Sequence, residues 1–76
     1  MQLVEALGDV VRARRKALGF SQEKLAELAG AHPNFVGFVE RGQQAMSVAS
    51  LELFAAALKV RPSELLAEAE ALLEAG

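Results

Sequence analysis

Apolar residues recur along this chain at spacings of three and four, the period of a helix with one buried face. Leu3, Val4, Leu7, Val10, Val11 and Leu18 form the first such stripe, and Gly19 supplies a C-terminal stop. Ser21 is placed to cap a second segment whose inner face is Leu25, Leu28 and Ala29, with Gly30 ending it. Pro33 suits the first turn of a third segment that Gly42 closes. Ser47 caps a fourth, with Leu51, Phe54, Ala55 and Leu58 inside. Pro62 opens a fifth over about residues 62–75, carrying Leu65, Leu66, Ala69, Leu72 and Leu73. No run alternates with period two, so the pattern predicts an all-α fold of five short helices and no sheet.

Segments two and three are each about eight residues, too short to persist as isolated helices, so they must pack on each other and on their neighbours. Joined through Gly30-Ala31-His32, they have the form of a helix-turn-helix, in which the second helix enters a DNA major groove. Many small helical bundles contain such a turn. At 100° per residue, Phe35, Val36 and Val39 share one apolar sector of segment three. Pro33, Asn34, Gly37, Phe38 and Arg41 fall opposite, with His32 just ahead of them: either a groove-facing surface or a solvated one.

Arg15 lies on the apolar stripe of the first segment, where an unpaired charge is costly. It either snorkels to water or needs a carboxylate, and Glu40 at the end of segment three is the candidate partner.

Composition narrows the functional classes. The chain has 76 residues, of which 53% are hydrophobic, so it reads as one small domain over residues 1–76 with a thin core that a partner chain would help to complete. It has no cysteine, which excludes disulfides and thiolate metal sites. With a single histidine, nothing marks a nucleophile–base pair or a metal-ligand cluster, so no enzyme activity, cofactor or small-molecule substrate is expected. No stretch reaches the roughly 18 apolar residues of a membrane span, and a soluble, cytoplasmic protein is expected. The net charge of −2 speaks against a nucleic-acid binder until it is divided along the chain. Residues 1–20 carry +2, residues 21–50 carry −1 and residues 51–76 carry −3, so the acid is concentrated in the tail.

The run Phe20-Ser21-Gln22-Glu23-Lys24-Leu25-Ala26-Glu27-Leu28-Ala29-Gly30, then Phe35-Val36 and Val39-Glu40-Arg41-Gly42, resembles the lambda-repressor/Cro type of helix-turn-helix, the XRE family. The resemblance covers about residues 10–66, continuing through Ser47, Leu51, Phe54, Ala55, Leu58 and Pro62-Ser63-Glu64-Leu65. Glu40-Arg41-Gly42, Ser47 and Ser50-Leu51-Glu52 look most like the small controller proteins of restriction-modification systems. It implies a bacterial or phage regulator that binds double-stranded DNA as a homodimer. It further implies that Gln22 holds a phosphate and braces the recognition helix, that His32, Pro33, Asn34, Gly37 and Phe38 face bases or nearby backbone, and that Arg15 and Glu40 form a buried pair. Arg12, Arg14, Lys16, Lys24 and Arg41 are the cations available for phosphates.

Several positions depart from the family pattern. Pro33 stands where relatives often carry a long polar or basic base reader, and it cannot donate a hydrogen bond. Asn34 is then the best base reader, its amide matching an adenine edge. Gly37 costs about 1 kcal/mol in a helix interior relative to alanine, which either a close approach to DNA or simple tolerance explains. Phe38 either touches a thymine methyl group or turns inward. Gln43-Gln44-Ala45 thins a loop that is usually more basic. The last-helix stripe of Leu65, Leu66, Ala69, Leu72 and Leu73 exceeds what so small a core needs, which suggests a two-fold dimer built on it, with Leu66, Leu72 and Leu73 most exposed to the partner, and an inverted-repeat operator. A module of the same fold that binds protein, such as an antitoxin or a coactivator-like bridge with weak DNA binding, is the alternative.

Overall fold

In the computed structural model, which describes residues 1–76, the chain forms α1 (Leu3–Ala17), α2 (Gln22–Ala29), α3 (Pro33–Glu40), α4 (Val48–Ala57) and α5 (Pro62–Ala75), with no strand. Their beginnings follow local chemistry. The Ser21 and Ser47 hydroxyls accept the backbone N–H groups of Lys24 and Ser50, each at 3.0 Å, and so satisfy donors that a helix start leaves free. At α1 and α5, Glu5 and Glu64 reach back to the backbone N–H groups of Gln2 (2.8 Å) and Arg61 (3.0 Å).

Helix ends use a left-handed residue that turns the chain. Gly30 does this after α2 at φ 68°, letting the Ala31 N–H reach the Ala26 carbonyl at 2.8 Å. After α4 the same task falls to Lys59 at φ 64°, a residue with no glycine freedom.

The core is built on Val11, Leu25, Val36, Val39, Phe54 and Leu65, drawn from all five helices and fully enclosed. α1 lies against α3 and α5, while α2 is held between α3 and α4. Phe35 meets Phe54 edge to face, with centroids 5.9 Å apart and planes at 84°. The α1–α3 approach is close: a Cβ on Gly8 would stand 2.2 Å from the Val39 carbonyl oxygen, so glycine is what lets α1 reach the end of α3.

Three faces differ from the sequence expectation. Leu28 is 46% exposed, because the buried sector of α2 runs through Leu25, Ala26 and Ala29 and Leu28 lies to one side of it. On α1, Ala6 is buried instead of Leu3, Val4 and Leu18, which stay exposed at the two ends of the helix. On α5, Leu65 and Ala69, one turn apart, have no exposed surface at all. That corrects their assignment to a dimer interface: they complete the core of a single chain. Leu66 and Leu73 are half-buried and Leu72 is 41% exposed, so only these three of the stripe have surface to offer.

Candidate nucleic-acid interface

The α2–turn–α3 unit is locked from behind. Arg15 on α1 donates from Nε to Glu40 Oε2 at 2.6 Å and from Nη2 to Oε1 at 3.0 Å, a two-pronged pair that is almost fully buried. Its Nη1 donates to the Phe20 carbonyl at 2.8 Å, so the residue before the α2 cap is tied to the same guanidinium. Gln22 adds a fourth tie, donating from Nε2 to Glu40 Oε1 at 3.1 Å. No buried side-chain nitrogen or oxygen lacks a partner, so the network is complete, which is what makes a buried charge tolerable.

With the inner side fixed, α3 turns Asn34, Phe38 and Arg41 outward, all exposed. His32 is exposed at the helix start, but its Nδ1 accepts the Asn34 backbone N–H at 3.0 Å. It is therefore the α3 cap, and an accepting Nδ1 leaves the ring's donor on Nε2 as the atom available to a ligand. Pro33 is half-buried in the first turn. Phe38 is 41% exposed, which decides against its turning inward. Gly37 is buried despite its outward register, and what covers it is the Arg41 side chain, not solvent. At this position the Arg41 side chain, not bare backbone, faces outward.

The cations divide into two groups. Arg41 donates from Nε to Gln43 Oε1 at 3.1 Å and lies over the Phe38 ring, with Cζ 5.2 Å from the centroid. Lys24 is exposed, with only a loose i,i+3 approach to Glu27 at 3.7 Å, of the kind that contributes little. Arg12 and Lys16 are exposed and make no ion pair or side-chain hydrogen bond within the chain. Arg14 is different. Its guanidinium binds Glu68 on α5, with Nε 3.1 Å from Oε1 and 3.0 Å from Oε2 and a further contact from Nη2. That hydrogen bonding raises the Arg14 pKa above its ordinary value, more than burial lowers it. Of the cations expected at phosphates, Arg14 is thus the one already closely paired within the chain, where it ties α1 to α5. No three of the chain's His, Asp and Glu side chains converge as a metal site would require.

Sequence reasoning missed two participants. Gln43, read only as a loop residue, holds Arg41; the signal is Arg41-Gly42-Gln43, where the left-handed glycine folds residue 43 back beside residue 41. The Phe20 carbonyl, a third partner of Arg15, leaves no side-chain signal.

Five helices with an outward-facing α3 braced in this manner define the class: the chain belongs to the helix-turn-helix family of the lambda-repressor/Cro type, whose profile matches residues 11–65. These are DNA-binding transcription regulators, not enzymes. Within the family its relatives include control protein C.SmaI of Serratia marcescens, 36% identical over 66 residues that make up 87% of this chain and 79% of the relative. Among solved structures, the restriction-modification controller protein C.AhdI of Aeromonas hydrophila is 44% identical over 83% of this chain and 94% of its own, with a TM-score of 0.79. The clp gene regulator ClgR of Corynebacterium glutamicum is 31% identical over 99% of this chain and 82% of its own, with a TM-score of 0.91. No helix of this chain is long and apolar enough to cross a membrane.

Proposed function

We propose that this chain is a cytoplasmic, sequence-specific regulator of the controller type, which binds an inverted-repeat operator as a homodimer and acts by occupying it. The observation that carries the reading is the two-sided build of α3: a buried Arg15–Glu40–Gln22 network behind, and Asn34, Phe38 and Arg41 exposed in front. Asn34 reads a base edge, its amide donating and accepting together. Gln22 spends one amide N–H on Glu40 and offers the other to a phosphate. Arg41, Lys24, Arg12 and Lys16 are the cations left for the DNA backbone. The controller role is taken from C.SmaI, which this chain resembles in sequence, and from C.AhdI, which it resembles in sequence and fold.

An apolar surface supports the dimer. Leu3, Val4, Leu7, Met46, Val48 and Leu66 border a groove of about 270 Å³ between the N-terminal ends of α1 and α4 and the flank of α5. Val48 alone is 84% exposed. A second copy placed here would cover side chains that water now meets, and two-fold pairing would set the recognition helices about 34 Å apart, one turn of DNA.

Selection of genomic fragments by the purified protein tests the reading. The expected result is enrichment of one inverted repeat, with an affinity that falls with salt by a log–log slope of about −0.9 for each phosphate neutralised. No enrichment together with no salt-dependent binding to random duplex would overturn it in favour of a protein-binding module of the same fold.

A further inference from the structure

Three residues determine where the Arg41 guanidinium sits. Phe38, one turn earlier on α3, presents its ring face 5.2 Å from Cζ. Gln43, across the Gly42 turn, accepts from Nε at 3.1 Å. Gly37, four residues earlier, contributes an absence: a Cβ there would lie 3.1 Å from Nη1, 3.6 Å from Nη2 and 3.7 Å from Cζ, inside the space that the guanidinium occupies. The φ of Gly37 is an ordinary negative one, within a regular helix, so no turn demands a glycine at this position. Glycine is unfavourable in a helix interior, and the side chain lying over it is the compensation the structure shows.

An exposed arginine at a helix end ordinarily samples many rotamers, and binding an anion must restrict them. Here the restriction exists before any anion arrives. Ring stacking and a bond to Nε leave both Nη groups, four N–H donors, without a partner in the chain. Those donors have the forked geometry that matches two oxygens of one phosphate. We propose that Gly37, Phe38 and Gln43 are positioning residues that preset Arg41 for a phosphate of the operator backbone, so that Phe38 and Gly37 act on DNA through Arg41 and not by touching bases. This rests on the DNA-binding reading above.

The test is a double-mutant cycle on the full chain, with affinities for the selected inverted-repeat duplex and for a random duplex read by fluorescence anisotropy across a salt series. Phe38→Leu keeps apolar bulk but removes the ring, and should weaken operator binding by about two- to fivefold per half-site. Phe38→Tyr, which keeps the ring, should bind as the unaltered protein does. Arg41→Ala should flatten the log–log salt slope by about 0.9 per protomer, while Phe38→Leu leaves that slope unchanged. In the Arg41→Ala background, Phe38→Leu should have no further effect. Gly37→Ala should weaken binding while raising the melting temperature, since alanine favours helix and the displaced group is the mobile end of a side chain; that combination separates lost positioning from lost folding. An equal loss from Phe38→Leu with and without Arg41 would overturn the proposal, since the ring would then contact DNA itself, and so would no loss in either background. Should the unaltered protein bind neither duplex in a salt-dependent way, the DNA-binding reading fails, an outcome distinct from additivity in a protein that binds.

Discussion

Arg15 is the residue on which the most structure depends. One side chain, on the apolar stripe of α1, satisfies both oxygens of Glu40 and the carbonyl that leads into α2. Removing it leaves a buried carboxylate facing only Gln22, so Arg15→Ala should lower stability by about 3–5 kcal/mol in urea denaturation. Arg15→Lys keeps the charge but not the fork, and should recover only part of that loss. At the exposed side of the same unit, the proposed base reader Asn34 should act on binding and not on stability. Asn34→Ala should cost about 1–3 kcal/mol against the selected operator and relax preference at one base position, with little change on random duplex. A uniform loss on every operator variant would show instead that Asn34 serves the backbone. The need of Arg15 for a partner was legible because a charge on a hydrophobic stripe violates a local rule. The fate of Arg14 was not: its neighbour Glu68 is 54 residues away, and nothing in the spacing distinguishes it from Arg12 or Lys16.

At the scale of the helices, two positions show what holds the elements in their places. Gly8 lets α1 approach the carbonyls at the end of α3, and a methyl group there meets backbone, which cannot rotate away. Gly8→Ala should therefore lose at least about 2 kcal/mol despite the higher helix propensity of alanine, as an overpacked contact does. An unchanged melting temperature would show that α1 shifts freely. Lys59 is the reverse case, a left-handed helix stop without glycine. Lys59→Gly should gain about 1 kcal/mol, raising the melting temperature of so small a domain by roughly 4–8 °C. Serine caps, prolines in first turns and stopping glycines made seven helix boundaries readable along the chain; the end of α4 carried no such mark because a lysine occupies the turn.

For the whole molecule, charge and size take on a different meaning. Of the tail carboxylates, Glu68 is bound to Arg14 and Glu64 caps α5, so part of the acid that argued against nucleic acid has structural work within the chain. Residues Leu65 and Ala69 belong to the core, which narrows the proposed dimer contact on the α5 stripe to Leu66, Leu72 and Leu73 and adds the groove beside α1 and α4 that Leu66 borders. Val48→Glu, at an exposed position, should leave the monomer folded while lowering the sedimenting mass to that of one chain at micromolar concentration. Operator affinity should fall with it, because each half-site is then bound separately, and the melting temperature should lose its dependence on protein concentration. A protein that sediments as a monomer without the substitution would refute the dimer.

Five helices, most of their limits, the helix-turn-helix and the demand for a partner at Arg15 were readable along the chain, because periodicity, caps and buried charge act within a few residues. The tertiary structure settled that Leu3, Val4, Leu18 and Leu28 stay exposed, that Arg14 pairs with Glu68, that Gly8 is a contact point and that Arg41 rests over Gly37 and Phe38. Those outcomes depend on how separate helices approach one another, or on how a long side chain folds back over its own helix. Hydrophobicity and charge state what each residue needs, but several neighbours can meet the need, and only the packed arrangement selects among them.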